Sequence, residues 1–333
     1  MSALSNSNGR SIVVMHGDQT GEELLQEALR VLVPGVIGLD LEFQHFDLSL
    51  ANRRDTKNEV VKEAAALMRE TGLGMKAATI TPTESDDVGS PNAILRDEID
   101  GTVILRTGRR IPRVRPVGGV HAPISVVRMA VDDAYGAKEW REKTPEGDEI
   151  AYRTSRISRE ICRSVADFSF QLAERTGARV FGGPKYTVSP VYEGMFKEEL
   201  DAAAARHPGV AYEPQLIDAT LALLMKIDGD ALVIPTLNRD GDLLSDLVLQ
   251  MFGSIAGSES LVLAFDHTTH IKVVMTEAPH GTAPALEGKN IANPMAMILA
   301  GAAILSYMHT PKSELASRAI YESVFEALHH GQA

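Results

Sequence analysis

The chain has 333 residues, a hydrophobic content of 44% and a formal net charge of −12, which together predict a folded protein with a substantial core. The acidic charge disfavours non-specific binding to nucleic acid, and the sequence shows neither an apolar run of about 18 residues nor an N-terminal secretory signal. We therefore expect a cytoplasmic protein without a membrane partner, and its single cysteine, Cys162, excludes an internal disulfide and a multi-cysteine metal site.

Short apolar runs alternate with helical patterns along the chain. The apolar runs lie at 11–15, 41–46, 75–80, 102–106, 124–131, 179–183, 231–235 and 261–265. Helical patterns follow the first three of them, at 20–33, 57–71 and 92–99. This alternation is typical of an α/β protein with a largely parallel sheet. No linker is visible, so we expect any second domain to be inserted within the sheet.

The segment 139–159 differs in character from its surroundings. It is polar and turn-rich around Pro145 and Gly147, and an alternating apolar pattern follows the turn. The pattern predicts a hairpin or projecting arm, with an irregular loop as the alternative.

Polar and cationic residues cluster between 90 and 128. The cluster contains Ser90, Asn92, Arg96, Arg106 and Arg128. Several guanidinium groups converging on one ligand suit a di- or tricarboxylate, because each can make two charge-assisted hydrogen bonds to a carboxylate. The alternative is that these arginines are ordinary surface residues and that Ser90 and Pro91 begin a helix. The surface alternative also applies to Arg109, Arg110, Arg113 and Arg115.

Three aspartates form a second candidate group. Asp242 and Asp246 are four residues apart in a helical pattern, which places both carboxylates on one helix face. Asp218 begins another helical pattern. Carboxylate oxygens suit Mg²⁺ or Mn²⁺, whereas capping of helix N-termini is the alternative.

A set of segments in order resembles the isocitrate and isopropylmalate dehydrogenase family of β-decarboxylating dehydrogenases, and most closely its isocitrate dehydrogenase-like members. The segments are VVMHGDQTGEELLQEAL, ATITP, SPNAILR, VVRMAVDDAY, GGPKYTVSPVYEGMF, LID, NRDGDLLSD and EAPHGTAPALEGKNIANP. The resemblance implies that family's α/β fold with two α/β domains. These are a discontinuous large nucleotide-binding domain, 1–99 and 255–333, and a small dimerisation domain, 100–254, whose projecting arm lies at 139–159.

The resemblance also implies roles for individual residues. The implied substrate ligands are Thr81, Ser90, Asn92, Arg96, Arg106, Arg128 and Thr187. The implied catalytic pair is Tyr135 and Lys185, and the implied metal ligands are Asp218, Asp242 and Asp246. The implied cofactor residues are Glu277, His280, Gly281, Thr282, Ala283 and Asn293. Lys185 and Asp218 would come from a second subunit, so the resemblance implies a homodimer with shared active sites.

The implied reaction is metal-dependent oxidative decarboxylation of isocitrate, or of a close isocitrate-like 2-hydroxy-3-carboxy acid, with NAD(P)⁺ as hydride acceptor. In it, Lys185 assists deprotonation of the substrate hydroxyl and Tyr135 protonates the enol carbon. Ser90 and Asn92 favour a substrate whose third group is polar. The alternatives are a phosphonate-bearing analogue, homoisocitrate, isopropylmalate or tartrate, or a non-catalytic regulatory subunit.

The cofactor loop favours NAD over NADP. Ala285 and Leu286 stand where NADP-type bacterial relatives have lysine and tyrosine, and Glu287 is adjacent. A 2′-phosphate would meet no cation there and would be repelled by the glutamate, so we expect NAD, with NADP as the alternative.

Overall fold

The computed structural model describes residues 11–84, 86–117, 120, 122–226, 229–266 and 270–331. The first ten residues, which bear on the expectation of no secretory signal, lie outside these ranges. Within them, no helix has the length and apolar character needed to cross a membrane.

A mixed sheet of ten strands lies at the centre of the described part of the chain. The strands of the protein are β1 (Ser11–His16), β2 (Glu42–Asp47), β3 (Leu73–Lys76), β4 (Gly101–Gly108), β5 (Ile124–Met129), β6 (Asp133–Lys143), β7 (Glu149–Arg156), β8 (Arg179–Phe181), β9 (Tyr212–Glu213), β10 (Leu232–Thr236), β11 (Ser260–Phe265) and β12 (Ile271–Glu277). All except β6 and β7 belong to the central sheet, in the order β2-β1-β3-β12-β11-β4-β5-β10-β8-β9.

Parallel pairing predominates at both ends of this sheet, as predicted. Its centre is antiparallel, because β11 pairs antiparallel with both β12 and β4, and β4 pairs antiparallel with β5. The apolar run 75–80 is also shorter as a strand than predicted, since β3 ends at Lys76.

Helices pack against both faces of the sheet. The helices are α1 (Gln19–Val31), α2 (Pro34–Ile37), α3 (Leu50–Asp55), α4 (Glu59–Thr71), α5 (Pro91–Glu98), α6 (Arg159–Thr176), α7 (Tyr192–Arg206), α8 (Ile217–Leu224), α9 (Asn238–Met251), α10 (Met295–Ser306) and α11 (Pro311–His330). In β1, Ile12 and Val14 join one core with α1 and α10, whereas Val13 and Met15 join another with α4. Successive strand side chains point to opposite faces, so a strand covered on both sides is apolar throughout.

Strands β6 and β7 form a separate antiparallel hairpin, which confirms the predicted hairpin and starts it six residues earlier, at Asp133. Most of its side chains are exposed. Trp140 stacks on Tyr152 across the strands, with 5.1 Å between ring centroids, and both rings remain accessible.

Candidate active site

The register of the central sheet aligns polar residues of four neighbouring strands. Lys76 of β3 is opposite Glu277 of β12, which is opposite Ser260 of β11, which is opposite Arg106 of β4. Directly opposed residues in neighbouring strands lie within about 5.5 Å of each other. This pairing therefore brings together groups that are up to about 200 residues apart in the chain.

A cavity of about 510 Å³ opens at this row of residues. Its lining includes Thr81, Ser90, Asn92, Arg96, Arg106, Arg128, Tyr135, Asp242, Glu277, His280 and Gly281. These are most of the residues that the sequence predicted for the substrate, together with the catalytic tyrosine, one metal carboxylate and part of the cofactor loop. The three arginines come from α5, β4 and β5, so their convergence depends on the tertiary fold.

Several buried polar atoms of this cavity have no hydrogen-bond partner among the residues that the structure describes. They are Oγ1 of Thr79, Oδ1 of Asn92, Nε of Arg96 and Nε2 of His280. An unsatisfied buried polar group costs about 1–3 kcal/mol. Their concentration in one cavity indicates a site built for a polar ligand, which would supply the missing hydrogen bonds.

Arg128 stands at the centre of a hydrogen-bonded network on one wall of the cavity. Its Nε donates to Oδ1 of Asn238 over 2.9 Å, and its guanidinium pairs with Asp242. The Tyr135 hydroxyl donates to the other oxygen of Asp242, and Arg128 lies over the Tyr135 ring at 5.1 Å from its centroid. The guanidinium is thus oriented by groups on α9 and β6 before any ligand arrives.

This network shifts the pKa values of its members. Burial and the neighbouring arginines lower the pKa of Arg128 to about 10, against the attraction of Asp242. Desolvation raises the pKa of Asp242, but the hydrogen bond from Tyr135 and the charge of Arg128 outweigh it and lower the pKa overall. Desolvation and the bond to Asp242 raise the pKa of Tyr135, so its phenol stays protonated at neutral pH.

Asp242 and Asp246 both lie on α9 but beyond its first turn, because the helix begins at Asn238. The capping alternative is therefore wrong for these two residues. Oδ1 of Asp246 accepts a hydrogen bond from Nη1 of Arg106 at 2.8 Å. Each carboxylate thus faces an arginine that the sequence assigned to the substrate.

Lys76 is a member of the cavity that the sequence analysis missed. Its side chain is 1% exposed, and its amine donates to the carbonyl of Ala77 and to Glu277 over 3.4 Å. Burial lowers the pKa of Lys76, and its positive charge lowers the pKa of Glu277 against the effect of desolvation. A lysine inside an otherwise buried strand was the available signal, since such a charge is rarely buried without a partner.

Lys185 and Asp218 form a pair of their own. The Lys185 amine is 2.5 Å from Oδ2 of Asp218, which is in the first turn of α8, and the bond lowers the pKa of that carboxyl. Neither residue lines the cavity, and Thr187 is exposed in the turn after Lys185. Among the residues that the structure describes, no three His, Cys, Asp or Glu side chains are arranged to hold a metal. One chain therefore does not bring the three predicted metal aspartates together.

The cofactor loop follows β12 and is fastened to α1. Oγ1 of Thr20 donates to the carbonyl of Ala283 over 2.8 Å, and Oε1 of Glu23 accepts from the amide of Gly288 over 2.7 Å. Thr282 and Ala283 continue the loop outside the cavity lining. Asn293 accepts a hydrogen bond from the amide of Met295, so its side chain oxygen supports the start of α10.

A larger cavity of about 750 Å³ shares Arg96 with the site. Its two other cations are already paired, since Arg156 lies 3.1 Å from Asp132 and Lys272 lies 3.2 Å from Asp100, and of the four unpartnered polar atoms only Nε of Arg96 belongs to its lining. The smaller cavity, which contains the unpartnered polar atoms, is therefore the better candidate for the active site.

The burial of their side chains distinguishes the arginines between 109 and 115 and describes the single cysteine. Arg109 is not an ordinary surface arginine, because it makes two hydrogen bonds to the buried Glu259, which also accepts from the Tyr321 hydroxyl. Arg110, Arg113 and Arg115 are exposed, as the alternative predicted. Cys162 is buried, and desolvation raises the pKa of its thiol to about 12.

Comparison with known proteins identifies the class to which this fold and site belong. The sequence pattern of the isocitrate/isopropylmalate dehydrogenase family matches residues 11–333, and the chain belongs to that family. It is a decarboxylating dehydrogenase that acts with NAD(P) on a hydroxy acid, within a family that uses a divalent metal.

The similar proteins include both isopropylmalate dehydrogenases and isocitrate dehydrogenases. The 3-isopropylmalate dehydrogenase of Methanothermobacter thermautotrophicus is 30% identical over 321 residues, 95% of this chain and 91% of its own. The NADP isocitrate dehydrogenase of Sphingobium yanoikuyae is 32% identical over 315 residues, 81% of this chain and 75% of its own. The crystal structure of isocitrate dehydrogenase from Methylococcus capsulatus shares the fold with a TM-score of 0.84 at 22% identity, covering 97% of this chain and 92% of that one.

Proposed function

We propose that the protein oxidises and decarboxylates isocitrate, or a close isocitrate-like 2-hydroxy-3-carboxy acid, with NAD⁺ and Mg²⁺ or Mn²⁺. The observation that carries this proposal is the convergence of Arg96, Arg106 and Arg128 on one cavity in which four buried polar atoms lack partners among the described residues. A ligand with several carboxylates would accept hydrogen bonds from the arginines and from the other donors of the cavity.

The polar edge of the cavity supports a substrate with a third anionic group. Ser90 and Asn92 line this edge at the start of α5, and the Ser90 hydroxyl and the Asn92 amide NH2 are donors that suit an anion. A site built for hydrogen bonding rejects an analogue that lacks the matching group, because its polar atoms would then stay unpaired. An isopropyl group in this position could accept no hydrogen bond from the Ser90 hydroxyl or the Asn92 amide N–H, whereas a carboxylate or phosphonate could accept from both.

A second copy of the chain would complete the site. The cavity contains Tyr135 and Asp242, whereas Lys185 and Asp218 lie together elsewhere in the same chain. In a homodimer with twofold symmetry, Lys185 and Asp218 of one chain would enter the cavity of the other. The exposed aromatic pair on the hairpin is a suitable part of such an interface. We further propose the division into a large domain, 1–99 and 255–333, and a small dimerisation domain, 100–254.

The residues of this shared site fit the chemistry of each step. Asp242 and Asp246, with Asp218 of the second chain, would hold a divalent cation, which lowers the cost of negative charge on the substrate oxygens. Lys185 would take the hydroxyl proton while the nucleotide accepts the hydride. Tyr135, whose raised pKa keeps its phenol protonated, would return a proton to the carbon that loses carbon dioxide.

The cofactor loop supports NAD⁺ as the preferred nucleotide. Residues 284–288 carry no cation, and Glu23 places a carboxylate against the amide of Gly288. A 2′-phosphate beside residues 284–287 would face the carboxylates of Glu23 and Glu287, and the nearest cation along the loop is Lys289. We expect kcat/KM to be higher for NAD⁺ than for NADP⁺, and a preference for NADP⁺ would contradict this part of the proposal.

Reduction of nicotinamide by a panel of acids tests the substrate. The panel contains isocitrate, homoisocitrate, isopropylmalate, tartrate and phosphonate analogues of isocitrate, each with Mg²⁺ and with EDTA. Isocitrate or an analogue with a third anionic group should give the highest kcat/KM, and EDTA should abolish turnover. A preference for isopropylmalate would contradict the substrate, and turnover indifferent to EDTA would contradict the metal.

A further inference from the structure

An arginine outside the cavity is buried completely and bonded only to backbone carbonyls in the described structure. Arg53 of α3 is 0% exposed. Its Nε donates to the carbonyl of Leu48 over 2.9 Å, and its two terminal nitrogens donate to the carbonyls of Ile80 and Gly89. Burial lowers the pKa of Arg53 overall, and the carboxylates of Asp18 and Asp87 oppose this shift without a direct ion pair in the described structure.

The two distant carbonyls belong to residues that directly precede site residues. Ile80 precedes Thr81, and Gly89 precedes Ser90, and both of these following residues line the cavity. The peptide on the other side of Ile80 is also fixed, because its amide donates to Oδ2 of Asp18 over 2.8 Å. Asp18 and Arg53 therefore hold Ile80 from its amide and from its carbonyl.

Side chains from α3 and its neighbourhood also hold the segment that leads to Gly89. Gly89 has φ of +67°, a conformation that residues other than glycine rarely adopt, and its flank has no regular secondary structure. Nδ2 of Asn58 donates to the carbonyl of the preceding Val88 over 2.7 Å. By contrast, Arg54, next to Arg53, is about half exposed and pairs with Asp87 at the surface.

We propose that Arg53 is a positioning residue for substrate recognition, which holds the carbonyls of Ile80 and Gly89 so that Thr81 and Ser90 face the substrate. The inference rests on the proposed function, because the substrate role of Thr81 and Ser90 belongs to it. Arginine is required because one planar group with five donors reaches three carbonyls at once, whereas the ammonium of lysine has no such fork.

The test compares Arg53→Lys with Arg54→Lys, which makes the same change one residue away. In Arg53→Lys, KM for the best acid of the panel should rise by about 10-fold or more, since a misplacement near 1 Å can cost about 100-fold. KM for the nucleotide should change by less than about 3-fold, and amide hydrogen exchange should accelerate in peptides covering 80–90. Arg54→Lys should leave the exchange and both KM values within about 2-fold of wild type.

A second variant separates positioning from general stability. Arg53→Ala removes the whole guanidinium group, and millimolar guanidinium should then lower the KM for the acid, whereas the same concentration of sodium should not. Equal rises in both KM values of Arg53→Lys, or an unchanged KM for the acid, would overturn the proposal. If the wild type reduces nicotinamide with none of the acids, the proposed function fails. Unchanged hydrogen exchange at 80–90 in Arg53→Lys would then refute the positioning role of Arg53 independently.

Discussion

A mixture of two inactive variants tests whether the active site is shared between chains. Tyr135 lines the cavity, whereas Lys185 lies outside it and pairs with Asp218 in the same chain. We expect Tyr135→Phe and Lys185→Met each to lose activity by a factor of about 10²–10⁴, the usual contribution of an acid or base. Neither change removes a buried apolar side chain, so both variants should fold.

The expected recovery follows from the separation of these two residues. If Lys185 acts in the partner's cavity, a mixed dimer has one site with both substitutions and one site with neither. Random exchange of equal amounts of chains makes about half of the dimers mixed, so the mixture should regain about one quarter of wild-type activity. The assay is nicotinamide reduction after co-refolding, with the two chains carrying different affinity tags so that the mixed dimer can be purified.

The matched control combines Tyr135→Phe with Arg128→Lys, assayed at an acid concentration far below the raised KM of Arg128→Lys, where that variant is nearly inactive. Both residues line the cavity of one chain, so each site of this mixed dimer carries one substitution, and no recovery is expected. Purified mixed dimers of Tyr135→Phe and Lys185→Met that stay as inactive as their parents would refute the shared site. The same recovery in both mixtures would show that it arises from something other than the location of Lys185.

Other side chains give predictions of different kinds. Arg128→Lys should raise KM for the acid by about 10- to 100-fold, because a hydrogen bond to a charged group contributes about 1.5–3 kcal/mol, and steady-state kinetics measure it. Glu259→Gln breaks the buried pair with Arg109 and should lower the free energy of unfolding in urea by about 3–5 kcal/mol without changing KM. Glu199→Gln tests a pH dependence. Desolvation raises the pKa of Glu199, but the hydrogen bonds and charges of Arg163 and Arg159 outweigh it and lower this pKa below its value in the unfolded chain. The stabilisation by this carboxylate is therefore present above about pH 4 and lost as the pH falls through the folded-state pKa. The free energies of unfolding of wild type and variant should converge in acid.

The α/β class and the hairpin could be predicted because they depend on local periodicity. A strand covered on both faces carries a continuous apolar run, and residues 12–15 of β1 show this in the sequence. Strand direction depends on which strands pair, and β11 pairs with β4 across more than 150 residues. Local periodicity carries no information about such pairing, so the antiparallel centre was not predicted.

The candidate site shows the same division. The resemblance to the family supplied Arg96, Arg106 and Arg128 as a set, and the structure brings them to one cavity. Arg53 was missed because it looks like an ordinary surface charge until its burial is known, whereas Lys76 was missed although its place inside an apolar run was a signal. Their role depends on contacts with backbone or with residues far along the chain, which no spacing reveals.

The ion pair between Arg128 and Asp242 should couple the binding of the substrate to the binding of the metal. Each of these residues neutralises the other in the isolated chain, so neither is fully available to a ligand. A substrate carboxylate that binds Arg128 would replace Asp242 in that ion pair and leave the aspartate with its hydrogen bond from Tyr135. The released carboxylate would then have an uncompensated negative charge beside the substrate, where a divalent cation would neutralise it. Anion and cation should therefore bind this site more tightly together than separately, because each removes the electrostatic cost that the other creates.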